Sequence, residues 1–509
     1  MNAPTDQTQK PRKRNLPRIR VGLLSLVQIA SVIIVFIVLN FLSSQHHVPY
    51  DISDDLGFTL SSSTTRYLKS EAIQNRDRPI RMIVAFRTSS PFYEKIRPII
   101  EEYNRLGDNK LEIKLIDPIR ASDAATALAA EYDLIFNQDM VIIDARPKSS
   151  ETAQSEKISP HVHIAKLEDM LVYDTDMNNQ RRVRGFLAED TLRAGLVNAV
   201  EGKPRRMLIL ADKSDLTDEN YQSVWPILSA NLVSQNILPE RVTLANLDDI
   251  PENVEAVAII AANNEFTEEE FNVLERYWNR PRASLLITTG DSNPPPRLRA
   301  FLRTHGVSPR DDRVLSVMQD AIKPSVIANF TSGMELTRDL WEKSTLLEGH
   351  TRSLEVREGA EDLINRRIQP FTLLESGPNY WGETRFPADQ ITYDPAEDQS
   401  GPVPLAAAVI KGSPNDERFA GQTSRMIVIS NSGFLIDKHA RQINLDFLAS
   451  SANWLVRREA LTGHGARNLR LYKLPLLKPQ VEFINRVNLI ILPAILVIFG
   501  AFAWAGRRA

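Results

Sequence analysis

Two uncharged apolar runs constrain everything this chain can fold into. The first, Val21 to Leu42, reads VGLLSLVQIASVIIVFIVLNFL and holds 22 residues without an acid or a base. A helix of that length crosses a hydrocarbon core of about 30 Å. The second, Val487 to Gly506, reads VNLIILPAILVIFGAFAWAG, again 20 uncharged residues. Pro493 is compatible with a membrane helix when neighbouring groups take up the freed backbone partners. Both runs therefore read as transmembrane helices. A cleaved leader would have a shorter apolar region, about 7–15 residues, ending in small residues. The first run is too long for that and ends in bulky side chains.

Charge sets the orientation. Lys10, Arg12, Lys13, Arg14, Arg18 and Arg20 precede the first run, with Asp6 as the only acid. Asp51, Asp54 and Asp55 follow it, and Arg507 and Arg508 follow the second run. The positive-inside rule puts both tails, 1–20 and 507–509, in the cytoplasm. Arg12, Lys13, Arg14, Arg18, Arg20, Arg507 and Arg508 are thus the candidate topology-setting residues. The lipid bilayer is the first partner. The expectation is a two-pass protein of a bacterial inner membrane with a large periplasmic body. The whole chain has 61 basic and 64 acidic residues, net −3. With both tails basic, the body between the spans carries the acid excess, which argues against a nucleic-acid partner. Cysteine is absent, which excludes disulfides, thiolate metal sites and thiol catalysis.

The body reads as two α/β units, 43–202 and 203–460, followed by a membrane-proximal linker at 461–486. In the first, Ser61 to Thr65 can cap a short helix containing Tyr67 and Leu68. Pro79 to Phe86 is a strand, Pro91 opens a helix, and LEIKLI at Leu111 to Ile116 is a strand that stops at Asp117-Pro118. A helix at Ala121 to Tyr132, a strand at Met140 to Ile143, a polar loop from Pro147 to Ser159, two β pieces within His161 to Tyr173 and a helix at Glu189 to Val200 complete it. The succession β-α-β-α-β-β-α is that of a thioredoxin-like domain. Where a redox motif would stand, the chain has Thr88-Ser89-Ser90-Pro91, so such a fold is a scaffold here. In the second unit, strands at Arg205 to Ala211, Arg241 to Ala245, Ala256 to Ala261, Ser284 to Thr288 and Arg425 to Ser430 alternate with helices. That predicts a Rossmann-like, mostly parallel, doubly wound sheet. Thr267 and Glu270 form a capping box. The stretch 311–424 reads as an insertion in this unit, and Asn453 and Trp454 as core residues of a helix from Asn444.

Several features could carry chemistry. His161-x-His163 would place two imidazoles on one strand face, a potential metal pair lacking a third ligand. Asp117 ends a strand, where α/β folds place ligands, but Asp-Pro is also an ordinary turn. Glu268-Glu269-Glu270 suits a helix N-terminus. His46-His47 suits the membrane interface. There is no GxxxxGK[ST] phosphate loop, HExxH, GxSxG or GxGxxG, so no cofactor or catalytic residue is expected.

The order of segments resembles the GldG family, auxiliary subunits of gliding-motility-type ABC transporters. The resemblance is carried by DISDDLGFTLSSSTTRYLKS from Asp51, EYNRLGDNKLEIKLIDP from Glu102 and FLAEDTLRAGLVNAVEGKPRRMLIL from Phe186. IPENVEAVAIIAANNEFTEEEFNVLERYW from Ile250, SRMIVISNSGFL with INLDFLASSANWL between Ser424 and Leu455, and the closing LPAILVIFGAFAWAGRR continue it. Many relatives carry a Gly-His-Gly-Glu-like turn after the strand that ends at Leu210. Here that turn is Ala211-Asp212-Lys213-Ser214-Asp215, and Gly463-His464-Gly465 stands elsewhere. The resemblance implies a non-ATPase subunit beside an ABC permease and a separate ATPase, with a binding or coupling role. An envelope scaffold, or a periplasmic enzyme on the Rossmann-like unit, is the alternative. For the enzyme, Asp117, Asp212 and Asp215 would have to line one cleft.

Overall fold

Apolar strands flanked by amphipathic helices must bury both faces of a sheet, and this chain does so twice. The computed structural model describes residues 27–38, 59–147, 159–175, 181–214, 216, 223–318, 321–323, 325–387, 391–414, 416, 420–462, 486–491 and 493–494. Residues Met1–Leu56 and Gly57–Ala509 form two separate units. In the first, residues 27–38 are helical, and Val27, Ile29, Val32, Ile33, Ile34, Val35, Phe36, Ile37 and Val38 are all exposed. Among the described residues no helix is long and apolar enough to cross a membrane. Of the run Val21 to Leu42 only 27–38 is described, and of the run Val487 to Gly506 only 487–491 and 493–494. The transmembrane helices expected from the sequence are therefore not part of the structure as described.

The second unit holds both sheets. β1 (Ile80–Ala85) pairs in parallel with β2 (Leu111–Ile116) and antiparallel with β3 (Met140–Asp144), which pairs antiparallel with β4 (Val162–Lys166). The order is β2-β1-β3-β4. Helices α1 (Ser62–Leu68), α2 (Tyr93–Gly107) and α4 (Ala188–Glu201) cover one face, where Met82 and Val84 meet Leu68, Ile96, Tyr103 and Leu196. Helix α3 (Ser122–Tyr132) covers the other, where Ile83 and Ala85 meet Leu128 and Tyr132. The two β pieces expected within His161 to Tyr173 are β4 and β5 (Leu171–Thr175), but β5 leaves the sheet to form a separate hairpin with an additional strand, β6 (Arg181–Phe186). Ser61 caps α1 as its sequence suggests, accepting from the Thr64 N–H at 3.3 Å.

In the large sheet, β8 (Ile237–Val242), β7 (Arg205–Leu210), β9 (Ala256–Ile260), β10 (Ser284–Thr288) and β20 (Ser424–Ile429) run parallel in that order. Helices α5 (Trp225–Ser234) and α8 (Gln442–Leu455) cover one face, with Leu228, Leu232 and Trp454 against Ile209 and Ile427. Helices α6 (Glu268–Trp278) and α7 (Pro296–Thr304) cover the other, with Leu274, Trp278 and Phe301 against Leu208 and Val428. The doubly covered strands explain the unbroken apolar runs of β9 and β10, buried at every position.

One expectation changes here. The strand placed at Arg241 to Ala245 is β8, which starts earlier, at Ile237; its burial is uneven and leaves Leu238 exposed, so no apolar run marked it. The stretch 311–424, read from the sequence as an insertion in this unit, supplies strands to the same sheet. Its strands β19 (Pro404–Lys411), β17 (Ile368–Ser376), β14 (Val326–Phe330) and β15 (Ser344–Leu347) continue the sheet antiparallel beyond β20, so nine strands form one mixed sheet. β14 alternates buried and exposed residues, the pattern of a sheet with one wet face. The remaining strands are short: β11 (Val307–Pro309) pairs with β16 (Leu354–Val356), and β12 (Arg313–Met318) with β13 (Ala321–Lys323) and β18 (Trp381–Glu383).

Helix α8 is buried along most of its length, which forces its polar side chains to find partners. Asn444 donates to the Leu346 carbonyl at 3.2 Å, Ser450 to the Leu336 carbonyl at 2.8 Å, and Asn453 to Gln235 Oε1 at 2.9 Å. Ser451 Oγ is left without a partner among the described residues, and Asp446 has the Gln442 amide on its carboxylate at 2.8 Å. Burial, with Asp190 adding repulsion, pushes its carboxyl up to about 6. A folded-state value above the unfolded one penalises the ionised folded protein. The penalty is absent below about pH 4, appears as pH rises through about 6 and is complete at neutrality. Asp446→Asn is therefore expected to stabilise the protein by about 2 kcal/mol at pH 7 and by almost nothing at pH 4. Chemical denaturation of both proteins at the two pH values checks this.

Candidate functional site

In an open parallel sheet the ligand crevice lies beyond the C-terminal ends of the strands where the order reverses. Here the chain passes from β7 to β8 on one side and returns to β9 on the other, so the crevice lies between Ala211–Ser214 and the Ala261–Glu265 turn. The protein's own side chains fill it. Lys213 Nζ sits 2.8 Å from Glu270 Oε2, 3.1 Å from the Glu265 carbonyl and 5.5 Å from the centre of the Phe266 ring. Ser214 Oγ accepts from the Ile260 N–H at 2.9 Å, and Asp212 Oδ1 from the Leu244 N–H at 2.8 Å. Burial opposes the charge on Glu270, but hydrogen bonds from Lys213 and from the Thr267 backbone prevail and hold its carboxyl below the usual range. The expected capping box between Thr267 and Glu270 is present, so this glutamate serves helix and lysine at once.

Further along the same sheet edge, Asn431 closes the ends of β10 and β20. Its amide donates to the carbonyls of Glu348 and His350 at 3.0 and 3.2 Å and to Thr351 Oγ1 at 2.8 Å, and its Oδ1 accepts from the Phe434 N–H at 3.1 Å. Arg352 donates to the Asp291 carbonyl at 3.0 Å. A loop of the supposed insertion thus plugs the edge where a ligand would lie.

The other candidates resolve individually. Asp117 Oδ2 accepts from the Thr88 N–H and hydroxyl at 3.0 and 2.8 Å, and Oδ1 from the Ile119 and Arg120 N–H groups. These bonds hold its carboxyl down at about 2 and make it a turn organiser. The adjacent Arg87 donates to Asp139 Oδ1 from both its backbone N–H and Nε, so the loop in the redox position is tied shut by two carboxylates. His161 and His163 both turn onto α4. His161 Nδ1 lies 2.9 Å from the Ala199 carbonyl, and burial lowers the basicity of His163. A Cβ at Gly195 would come within 2.6 Å of His163 Cδ2, and one at Gly202 within 2.5 Å of His161 Cε1. The pair is packing, and no group of three potential metal ligands occurs among the described residues. Asp117 and Asp212 belong to different sheets and line none of the larger described cavities. Asp215, His46, His47, Gly463, His464 and Gly465, and the topology-setting Arg12, Lys13, Arg14, Arg18, Arg20, Arg507 and Arg508, lie outside the described residues.

A cavity of about 710 Å³ opens at the opposite, N-terminal edge of β7, β9 and β10. Arg205, Arg280, Arg282 and Arg457 line it, with Glu252, Glu255 and the buried Tyr277 and Leu455. These arginines come from three separate stretches of chain, Arg280 and Arg282 sharing one turn, and no motif in the sequence links the three. Two have left-handed backbone, Arg282 at φ 66° and Arg457 at φ 63°.

No family model matches the chain, and no curated protein matches it. Among solved structures, the mmIFT52 N-terminal domain aligns with 49% of this chain and 96% of its own length, at 15% identity and a TM-score of 0.33. A putative ThuA-like protein from Bacteroides uniformis aligns with 52% of this chain and 95% of its own, at 11% identity and a TM-score of 0.29. The exo-beta-1,4-mannosidase Op5Man5 from an Opitutaceae bacterium covers 71% of this chain and 48% of its own, at 13% identity and a TM-score of 0.26. At such scores none of these likenesses carries an argument about activity, substrate or partner. Fold and site together define an α/β protein with a self-filled switch-point crevice.

Proposed function

We propose that this chain is a membrane-anchored, non-ATPase accessory subunit of an ABC-type transport system, similar to the GldG family, with a binding or coupling role. Its two halves are a thioredoxin-like and a Rossmann-like scaffold on the periplasmic side of a bacterial inner membrane. The observation that carries the reading is the pairing of an apolar helix, bare on every side at 27–38, with a body whose candidate catalytic groups are consumed by structure. A helix apolar all round needs lipid or protein around it. Asp117 organises a turn, Lys213 and Glu270 neutralise each other, and His161 and His163 are packed against α4. That leaves recognition rather than catalysis as the work of the body. The absence of a phosphate loop assigns ATP hydrolysis to another subunit.

The anchoring half of the reading is tested by fractionation. The full chain should stay with membranes through alkaline carbonate washing. Protease added to spheroplasts should digest the body while an N-terminal tag survives. Release by carbonate, or loss of the tag in intact spheroplasts, would overturn it.

A further inference from the structure

The cavity at the N-terminal edge of β7, β9 and β10 has more positive charge than its surroundings neutralise. Glu255 receives the Arg206 N–H at 3.0 Å and Arg205 Nη1 at 3.3 Å, Asp249 lies 2.5 Å from Arg280, and Glu459 lies 2.6 Å from Arg425. Arg282 has no side-chain hydrogen bond or ion pair among the described residues, and the Arg457 guanidinium reaches only the Thr423 carbonyl. Glu252 is the one lining carboxylate without an arginine on it among the described residues. Burial, with repulsion from Arg425 and Arg282, lowers the basicity of Arg457, opposed by Glu459 and Tyr277.

The left-handed backbone of Arg457 belongs to the end of α8, where the Arg457 N–H reaches the Trp454 carbonyl at 3.2 Å and the Arg458 N–H the Asn453 carbonyl at 2.8 Å, but that cap does not use the Arg457 guanidinium. The last carbonyls of α8 already have donors: Arg425 reaches Trp454 O at 2.6 Å, and Ser284 Oγ reaches Leu455 O at 2.8 Å. Left-handed backbone is unfavourable by roughly 1–2 kcal/mol for a residue with a Cβ. Two such residues, Arg282 and Arg457, present their side chains to one cavity. Guanidiniums left without a carboxylate in a cavity, among the described residues, mark a place suited to an anion.

We propose that this cavity binds a phosphate-bearing anion, with Arg282 and Arg457 as its principal ligands and the apolar wall of Val254, Ala283 and Leu455 against the rest of the molecule. Two guanidiniums short of partners call for a dianion, and the planar forks of arginine match phosphate oxygens in pairs. A volume near 710 Å³ exceeds inorganic phosphate and fits a phosphate ester, either a soluble one or a lipid headgroup.

The test is calorimetric titration of the full chain, in neutral detergent, with glycerol 3-phosphate and separately with monomeric dihexanoyl phosphatidic acid, both phosphate monoesters. Binding of the first assigns the site to a soluble phosphate ester, and binding of the second alone assigns it to a headgroup. Binding of neither overturns the proposal. Arg282→Ala and Arg457→Gly should each weaken binding by roughly tenfold or more. Glycine accepts the positive φ at 457 without strain, so the melting temperature of Arg457→Gly should hold or rise as binding is lost. Unchanged affinity in both variants would place the ligand elsewhere and refute the assignment.

Discussion

Arg458→Ala is expected to cost about 3–5 kcal/mol and to uncouple the two sheets. The side chain is 5% exposed and lies directly between them. Its guanidinium donates to both oxygens of Glu201, at the end of α4 on the first sheet, with Nε to Oε1 at 2.8 Å. It also donates to the carbonyls of Gln235 and Asn236, just before β8 of the second. Truncation strands a mostly buried carboxylate and two carbonyls together, and a single removed partner of a buried pair is costly for that reason. Arg205, at 3.6 Å, still compensates part of the Glu201 charge. A second tie, Arg66 to Asp339 at 2.8 Å, is less buried, with the two side chains 25 and 14% exposed, and is not expected to hold the join alone. Calorimetry should show one melting transition in the parent protein and two in the variant. A single transition within 1 °C of the parent would show that the halves are joined by other means.

Lys213→Met is the second large effect, expected at about 3 kcal/mol. It removes the cation from the filled crevice and leaves Glu270 buried beside Phe266 with only its capping bond to the Thr267 N–H, 2.7 Å long. The loss has a pH signature. Without Lys213 the Glu270 carboxyl should rise toward or above the ordinary glutamate range. Because its depressed value stabilises the parent at neutral pH and ceases to do so on acidification, the gap between parent and variant should narrow as pH falls through that range. Lys213→Met with Glu270→Gln should recover much of the loss, since replacing both partners removes the stranded charge. Denaturation of the two variants at pH 7 and pH 4 measures both effects. If the single variant were as stable as the parent, the crevice would be open to ligands, and the case against chemistry there would fail.

Local signals carried much of the fold. Ser61, the Thr267–Glu270 box and the apolar runs at β1, β7, β9, β10 and β20 each act within a few residues, so they could be read directly. The place of β14, β15, β17 and β19 could not. β15 pairs with its chain neighbour β14 and β19 with its chain neighbour β20, but β14 to β17 and β17 to β19 pair across longer stretches, and short alternating strands look alike whether they decorate a sheet or extend it. The site was less legible still. Asp117 and the His161-x-His163 pair stood out by residue type, yet their geometry is structural. The arginine cavity left no trace, because Arg205, Arg280, Arg282 and Arg457 converge only through packing and two of them owe their aim to left-handed backbone that non-glycine residues seldom adopt.

Recovery of partners on the tagged full chain, cross-linked in native membranes and solubilised in mild detergent, tests the proposed role most directly. A multi-span ABC permease and a separate ATPase should come away with it in near-equal amounts, and a chain lacking residues 21–42 should recover neither. Repeated isolation of the intact chain without either subunit would contradict the account.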